Sequence, residues 1–235
     1  MSAPWIVVSG LDGSGKTALV DNLEKYLTGL GKRVKRSRLP HDRYLVKDLL
    51  NISNDSYTDR MLFALDNRIF AERFREWQRS GEFDFILTQR GFLDSFVHGA
   101  VQGFSYSWIA ELNRISDLPK CDVIIHLVAE AETAYARIKD DPDADKFEYI
   151  EYIRKQEQET RRGYFEVVRK NVDLEPFHSA LNIYVDTTEM TMEETFEFVK
   201  KRLISNGIIP DPSANWSKTS LRLQWSLGDV SSFII

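Results

Sequence analysis

The stretch GLDGSGKT, residues 10–17, decides the fold expected for this chain. The apolar run from Trp5 to Val8 precedes it and apolar residues at helical spacing follow it, so the local order is strand, glycine loop, helix. The spacing of the glycines and of the closing Lys16-Thr17 pair fits the pattern G-x-x-x-x-G-K-[ST]. Residues 10–17 therefore predict a phosphate-binding loop between the first strand and the first helix.

Each residue type in this loop has a physical role toward a triphosphate. Glycines let the backbone curl so that several N–H groups point at phosphate oxygens, and the start of the helix adds partial positive charge. Lys16 supplies a mobile charge near the β- and γ-phosphates, and Thr17 offers a hydroxyl to Mg²⁺. Asp12 is a candidate for orienting the acceptor or the metal's ligand shell. The predicted triphosphate-binding residues are Gly10, Asp12, Gly13, Ser14, Gly15, Lys16 and Thr17, with Thr17 as the metal ligand.

The length, charge and cysteine content of the chain limit the classes of function that it can have. The 235 residues suffice for one large α/β domain, and a net charge of −5 provides no overall field toward nucleic acid or an anionic membrane. The one cysteine, Cys121, excludes an intramolecular disulfide and fits a reducing compartment. No apolar run reaches the length of a membrane span, and the first apolar run is predicted to be a core strand rather than a signal peptide. We expect a cytoplasmic protein without a membrane partner.

Helical and strand patterns alternate along the rest of the chain. Buried strands are predicted at residues 83–87, 122–128 and 181–185, and long helices at 57–79, 147–171 and 192–205, with Gly99 and Gly103 as breaks in between. This alternation predicts a three-layer α/β P-loop fold, a mainly parallel five-stranded sheet with helices on both faces. Ligands bind at the carboxyl ends of such strands, so the phosphate loop, Arg90 and the turn after Asp186 should share one edge.

The sequence predicts a nucleotide-binding domain over residues 1–206 and an extension over residues 207–235. A charged stretch at about 139–147 contains Pro142, is unsuited to a core and is predicted to form a lid. In the extension, strict alternation from Leu221 to Leu227 predicts a strand or clasp packed on the domain. The alternatives for the extension are a dimer contact and a cover over the substrate site.

Three arginines lie on separate segments that could converge at this edge. Arg38 ends the basic second strand, Arg68 lies on the helix at 57–79, and Arg90 follows the strand at 83–87. Guanidinium groups bind phosphate through paired hydrogen bonds, so together these residues favour an acceptor that carries an anionic group.

Over about residues 5–206 these motifs resemble the thymidylate kinase family of nucleoside monophosphate kinases. The resemblance is carried by the loop with its acidic Asp12, by the Leu-Phe…Asn-Arg helix from Leu62 to Arg68, and by Asp-Lys-Phe-Glu at 145–148. It implies ATP and Mg²⁺ as cofactors and a nucleotide as the substrate. A homodimer is a further expectation.

The resemblance also implies roles for individual residues. Phe63 would stack on the base and Arg68 would reach it, while Arg90 would clamp the acceptor phosphate. Gln102 would line the nucleoside pocket. Because the loop has no basic residue between its glycines, the lid must supply a further cation. The candidates for that cation are Arg137, Lys139 and Lys146, and the predicted site is completed by catalytic Asp12, Lys16, Arg90 and Arg137, with Lys146 on the ATP side.

Two departures from the family pattern bear on the substrate. The family's aspartate before the arginine is Gln89 here, and Arg90 is followed by Gly91 instead of an aromatic residue. The loss of the carboxylate changes the surroundings of the metal, and an amide donates as well as accepts, so Gln89 is a candidate substrate-binding residue. Gly91 leaves room for a larger acceptor.

The leading interpretation is ATP-dependent phosphoryl transfer to a pyrimidine deoxynucleoside monophosphate such as dTMP, giving the diphosphate. One alternative keeps the ATP site and phosphorylates the hydroxyl of a modified pyrimidine such as 5-hydroxymethyluracil, free or in DNA. Nucleic acid is a partner only in that case, and the net acidity of the chain disfavours it. A further alternative is a nucleotide-binding regulator without turnover.

Overall fold

The computed structural model describes residues 2–41, 43–140, 147, 149–163 and 180–213, without the side chains of residues 43–45 and 47. Strands and helices alternate along these residues, as the sequence predicts. Their bounds are β1 Trp5–Gly10, α1 Lys16–Gly29, β2 Val34–Arg38, α2 Arg43–Ile52, α3 Ser56–Ser80, β3 Phe85–Gln89, α4 Phe92–Val101, α5 Tyr106–Asn113, β4 Val123–Val128, α6 Ala131–Ile138, α7 Ile150–Gly163, β5 Leu181–Asp186 and α8 Met192–Ser205.

The five strands form one parallel sheet in the order β2-β3-β1-β4-β5. All residues of β1 and of β4 are buried, as expected for central strands that are covered on both faces. The predicted three-layer fold is thereby confirmed. Because every strand runs in the same direction, the carboxyl ends of β1, β2, β3 and β5 all open onto one edge, where the phosphate loop also lies.

Two hydrophobic cores lie on opposite faces of the sheet. Trp5 and Val7 of β1 point into the first core, where the Trp5 ring contacts Phe70 and Phe74 of α3. Alternate residues of β1 point into the second core, which α1 and α8 cover. Burying one such large apolar side chain contributes about 1.5–3 kcal/mol, so the two cores hold the strand that carries the phosphate loop firmly in place.

The structure differs from the sequence prediction in two details. The third strand runs from Phe85 to Gln89 instead of over 83–87, so Gln89 is still paired in the sheet, opposite Val8 and Arg38. Gly99, predicted as a break, lies inside α4. A Cβ atom on Gly99 would lie 2.5 Å from Cδ1 of Ile109, so this glycine is needed for the close approach of α5 and does not end the helix.

The described part of the predicted extension packs on the domain. Ile209 is buried in the second core, and the hydroxyl of Tyr26 donates to the carbonyl oxygen of Pro210 at 2.9 Å. The alternating stretch from Leu221 to Leu227, most of the predicted lid and Lys146 lie outside the described residues. None of the helices that the structure describes combines the length and the apolar character required to cross a membrane.

Candidate active site

The phosphate loop depends on glycines for its path. Gly10, Gly13 and Gly15 all have positive φ angles, of 138°, 81° and 93°. A Cβ atom on Gly10 would lie 1.9 Å from the carbonyl oxygen of Leu127, and one on Gly13 would lie 2.1 Å from that of Ala134. The loop is therefore wedged against β4 and α6 at distances that only glycine permits.

Lys16 lies at the first turn of α1 with its side chain folded over the loop. Its Nζ atom donates to the carbonyl oxygens of Gly10 at 2.9 Å and Leu11 at 2.6 Å, and to Oδ1 of Asp12 at 3.0 Å. Burial lowers the pKa of Lys16, and the charge of Asp12 opposes this shift. The loop thus holds one desolvated cation within reach of any phosphate that it binds.

Asp12 joins the loop to Arg90. Its carboxylate forms an ion pair with the guanidinium of Arg90 as well as with Lys16. Burial would raise the pKa of Asp12, but the charges of Arg90 and Lys16 hold it well below its usual value. Arg90 follows the end of β3 in the left-handed region, with a φ of 67°, which is uncommon for a residue other than glycine and recurs at functional sites.

Thr17 and Gln89 contact each other across the sheet edge. The Nε2 atom of Gln89 donates to Oγ1 of Thr17 at 3.0 Å. The described residues contain no cluster of three His, Cys, Asp or Glu side chains that would hold a metal by themselves. A divalent cation here would depend on the Thr17 hydroxyl together with phosphate oxygens and water, which is the ligand set that Mg²⁺ commonly takes beside a nucleotide.

Arg137 of α6 borders the loop on its outer side. Its Nη1 atom donates to the carbonyl oxygen of Gly13 at 3.3 Å, and its Nη2 atom to that of Thr187 at 2.9 Å. The hydroxyl of Thr187 in turn donates to the carbonyl oxygen of Ser14 at 3.1 Å. The loop, α6 and the turn after β5 therefore meet at one point, as predicted for the strand edge.

A cavity adjoins the loop on the side of α3 and α4. The predicted residues Arg38, Phe63 and Arg90 all line it, and so does Asp12 of the phosphate loop. Its walls combine an aromatic ring and aliphatic side chains from α2 with several charged groups, a composition typical of a small-molecule site. Asp12 belongs to both the phosphate loop and the cavity wall and pairs there with Arg90, so groups bound in the loop and in the cavity would face one another.

Three predicted substrate residues, Arg68, Gln89 and Gln102, do not line this cavity. Arg68 does not line the cavity; its Nη2 atom pairs with Oδ2 of Asp117 at 3.3 Å. Gln102 lies at a neighbouring depression, where its Nε2 atom donates to Oδ2 of Asp59 at 3.3 Å. The geometry thus separates Arg68 and Gln102 from the residues that surround the cavity, and it keeps Gln89 with Thr17.

Arg68 misses the cavity because of helix register. Residues three and four apart share a helix face, whereas five residues correspond to a rotation of about 140°. Arg68 is five residues after Phe63, and the residue at the fourth position is Asn67, which does line the cavity. The Nδ2 atom of Asn67 donates to Oγ of Ser95 at 2.9 Å and to Oδ1 of Asn113 at 2.7 Å.

Sequence reasoning missed a buried polar chain between α4, α7 and the loop. The amide of Gln156 accepts from the N–H of Asp12 at 3.4 Å and donates to its Oδ2 at 3.2 Å. The Nε2 atom of Gln156 also lies 3.4 Å from the Nε2 atom of His98. On the other side of the ring, Nδ1 of His98 lies 2.9 Å from the Tyr152 hydroxyl. Because the amide nitrogen donates, Nε2 of His98 accepts and Nδ1 carries the hydrogen. Burial lowers the pKa of His98 to about 3, so the ring is neutral.

A sequence signal for this chain did exist. Gln156 and Thr160 occur on the same helical face of α7 as Ile153, at spacings of three and seven residues, and all three are buried. A polar residue on an otherwise apolar face indicates a buried partner. The sequence alone could not identify that partner, because Asp12 is 144 positions away from Gln156.

Asp94 was also missed, and it holds the start of α4 against the loop. Its Oδ2 atom accepts from the Ser9 hydroxyl and from the N–H of Gly91, both at 2.8 Å, and its Oδ1 accepts from the N–H of Gly10 at 3.4 Å. Burial raises the pKa of Asp94, opposed by the charge of Lys16. This carboxylate fixes the first turn of the phosphate loop.

Comparison with known proteins agrees with this arrangement. A family model described as thymidylate kinase matches residues 8–176. A probable thymidylate kinase of Methanococcus aeolicus is 27% identical over 87% of this chain and 98% of its own length. Another, of Pyrobaculum aerophilum, is 31% identical over 64% of this chain and 78% of its own, and one of Saccharolobus solfataricus is 29% identical over 84% and 97%.

Among solved structures, thymidylate kinase from Candida albicans superposes with a TM-score of 0.66. The match covers 89% of this chain and 96% of that chain at 17% sequence identity. At this level of identity the likeness concerns the fold, and it agrees with the parallel five-stranded sheet and its surrounding helices.

Proposed function

This chain belongs to the thymidylate kinase family and is an ATP-dependent kinase, and we propose that its acceptor is dTMP, which it converts into the diphosphate. The observation that carries this proposal is the junction at Asp12 and Arg90. There the phosphate loop and an aromatic-lined cavity open onto each other. A donor triphosphate in the loop and an acceptor phosphate in the cavity would meet end to end, as phosphoryl transfer requires.

On the donor side, backbone N–H groups of the loop and Lys16 would hold the β- and γ-phosphates of ATP. Mg²⁺ would neutralise charge on the donor phosphates, and the Thr17 hydroxyl would help to hold it. Lys16 is buried and donates to three loop oxygens, so on binding ATP its Nζ atom would exchange at least one of these partners for a phosphate oxygen. Arg137 and the predicted lid cations Lys139 and Lys146 would add charge around the transferred group.

On the acceptor side, Arg38 and Arg90 would bind the phosphate of the monophosphate. Phe63 would stack on the base, since its ring lines the same cavity. Little covalent chemistry is required of the protein. Fixed positions and cations account for the catalysis, and closure of the lid would exclude water so that ATP is not hydrolysed.

We also propose that two copies of the chain associate through α3. Four large apolar residues on this helix, spaced four apart, are exposed by 37–56%: Tyr57, Met61, Leu65 and Ile69. Spacing of four places them in one stripe along the helix. An apolar stripe on the exposed face of α3 supports a contact with the same stripe of a second copy, with the two helices packed across a two-fold axis.

The proposal is tested by offering a panel of acceptors to the full-length chain with ATP and Mg²⁺. The panel comprises dTMP, dUMP, 5-hydroxymethyl-dUMP and an oligonucleotide that contains 5-hydroxymethyluracil. Mass spectrometry with ³¹P NMR shows which oxygen gains the phosphoryl group. We expect dTDP as the preferred product. Transfer to the 5-hydroxymethyl oxygen would replace this proposal with the modified-base kinase, and ATP binding without any transfer would replace it with a regulator.

A further inference from the structure

The amide of Gln156 on α7 holds Asp12 at both its main chain and its side chain. Gln156 is 1% exposed. Its Oε1 atom accepts from the backbone N–H of Asp12 at 3.4 Å, and its Nε2 atom donates to Oδ2 of the same residue at 3.2 Å. These two bonds from one planar amide fix the path of the loop at Asp12 and the direction in which the carboxylate points.

His98 and Tyr152 set the direction of this amide. The ring of His98 is neutral, with its Nε2 atom 3.4 Å from the amide nitrogen of Gln156 and its Nδ1 atom 2.9 Å from the Tyr152 hydroxyl. One hydrogen of the amide therefore points at His98 and the other at the carboxylate of Asp12. With the amide turned over, its nitrogen would face the N–H of Asp12 and its oxygen would face the carboxylate, and both contacts would be repulsive.

The two carboxylate oxygens of Asp12 have different partners. Oδ1 pairs with Nζ of Lys16 at 3.0 Å and with the guanidinium of Arg90. Within the described residues, Gln156 is the hydrogen-bond partner of Oδ2. Without that bond the carboxylate could turn about its Cβ–Cγ bond and carry Oδ1 away from the two cations, whose relative position depends on it.

Gln156 lies behind Asp12 and outside the cavity wall. Asp12, Arg90 and His98 are among the described residues that line the cavity, and Gln156 is not. Substrates in the proposed positions would therefore contact Asp12 or its two cations, and Gln156 would act on the reaction only through them. Phosphoryl transfer depends on cations held at fixed positions around the transferred group, so a shift of Asp12 would slow it.

From these contacts we infer that Gln156 is a positioning residue for phosphoryl transfer, which acts through Asp12 to keep Lys16 and Arg90 at the spacing that the reaction requires. The inference rests on the proposed function for its acceptor, dTMP. Loss of Gln156 should lower kcat, because the cations around the transferred group lose their fixed positions. The KM for ATP should change little, because the backbone of the loop and Lys16 still bind the phosphates.

The inference is tested by a double-mutant cycle of four full-length proteins: the wild type, Gln156→Met, Asp12→Ala and the double variant. Each is assayed for kcat and for both KM values with ATP, Mg²⁺ and dTMP. In the wild-type background, Gln156→Met should lower kcat by about 30-fold and keep the KM for ATP within about threefold. In the Asp12→Ala background, the same substitution should change kcat by less than about threefold, because the carboxylate through which Gln156 acts is absent.

Gln156→Glu gives a second test that does not depend on the cycle. The new carboxyl group would face Oδ2 of Asp12, near the charges of Lys16 and Arg90 and the neutral ring of His98, and the two carboxyl groups would share one proton at low pH. The shared proton replaces the hydrogen of the amide, and its loss leaves two facing carboxylates. The kcat of Gln156→Glu relative to the wild type should therefore be highest near pH 5 and fall by about tenfold toward pH 9.

Gln158→Met is the matched control, because Gln158 is exposed two residues further along the same helix. It should leave kcat within about twofold of the wild type. An equal loss of kcat from Gln156→Met in both backgrounds, or a kcat ratio for Gln156→Glu that stays constant over this pH range, overturns the inference alone. If the wild type transfers no phosphate to dTMP, the proposed function fails and this inference fails with it.

Discussion

At the residue scale, Asp12 is where the two halves of the site meet. Its carboxylate is shared between Lys16 of the phosphate loop and Arg90 at the cavity, and Gln156 holds its other oxygen. The position of this acid relative to both cations is therefore fixed by three separate segments of the chain. Such an arrangement keeps the cations about the transferring group in place without reorganisation during the reaction.

Gln89 gives a prediction for metal dependence. Its amide donates to the Thr17 hydroxyl, the group that we expect to bind Mg²⁺. Replacing Gln89 with Asp puts a carboxylate beside this position, which attracts the cation and accepts hydrogen bonds from its water ligands. Gln89→Asp should lower the Mg²⁺ concentration for half-maximal activity by about tenfold, whereas Gln89→Asn should not. Equal Mg²⁺ titration curves for both variants would show that residue 89 does not influence the metal.

The sequence predicts where a side chain lies more reliably when the signal is contiguous than when it depends on helix register. The loop residues could be assigned because spacing within eight residues fixes their chemistry. Arg68 was assigned by its place in a motif. It is the fifth residue after Phe63, so it is rotated by about 100° from the fourth, Asn67, to another part of the helix surface. Arg60 belongs to no recognised motif, and only the packed structure shows that it is buried in the cavity wall.

At the element scale, the phosphate loop is held by the elements around it. Gly13 lies against α6, and a Cβ atom there would be 2.1 Å from the carbonyl oxygen of Ala134. Gly31 has a similar φ of 72° but has nothing within 4 Å of an added Cβ. Substituting each glycine with alanine therefore distinguishes the free-energy cost of a steric clash from that of the left-handed backbone conformation.

We expect Gly13→Ala to destabilise the protein more than Gly31→Ala. Both variants incur about 1–2 kcal/mol for the left-handed conformation, and only Gly13→Ala adds about 1–3 kcal/mol of overpacking. Urea unfolding measures the difference, and ATP binding should be lost in Gly13→Ala alone. Equal free energies of unfolding for the two variants would contradict the tight contact between loop and α6.

Buried His98, which contacts Tyr152 where α4 packs on α7, should make the stability depend on pH. The pKa of His98 is about 3 in the fold and near 6.5 when unfolded, so between these values the unfolded chain binds the extra proton. The stabilisation from neutral His98 is complete above about pH 6.5 and is lost as the pH falls toward 3. His126, with a pKa lowered to about 4 by burial, acts in the same direction.

His98→Asn removes this titration while leaving a polar group near Tyr152. Between pH 4 and 6, the free energy of unfolding of the wild type should fall with decreasing pH by about 1.4 kcal/mol per unit more than that of the variant. Urea titrations at several pH values give both slopes. Identical slopes would mean that the fold does not lower the pKa of His98.

At the scale of the whole molecule, the alternation of strands and helices was enough to predict the fold. Patterns of buried strands fix which segments enter the sheet, and parallel connections then place their carboxyl ends together. Contacts between distant segments, such as Gln156 with Asp12, were beyond reach because side-chain pairing across 144 positions depends on the packed structure. The role of residues 207–235 stays a prediction, although Ile209 already packs on the domain.

The apolar stripe on α3 gives a prediction for assembly. Leu65 is 56% exposed in the middle of the stripe, so Leu65→Glu should place two like charges against each other in a symmetric dimer and dissociate it. Phe198→Glu on α8 is the control, because Phe198 is 37% exposed and lies outside the stripe. Light scattering after size exclusion should give twice the chain mass for the wild type and Phe198→Glu, and the chain mass for Leu65→Glu. A wild-type monomer would contradict the dimer.

The most direct test of the central claim is to follow the γ-phosphoryl group of ATP itself. The full-length protein is incubated with γ-³²P-labelled ATP, Mg²⁺ and dTMP, and the products are separated by thin-layer chromatography, with Lys16→Ala as the parallel reaction. We predict labelled dTDP from the wild type and none from Lys16→Ala, because Lys16 is the buried cation at the phosphate loop. Label found only in ATP and inorganic phosphate, or equal dTDP from both proteins, would contradict the account.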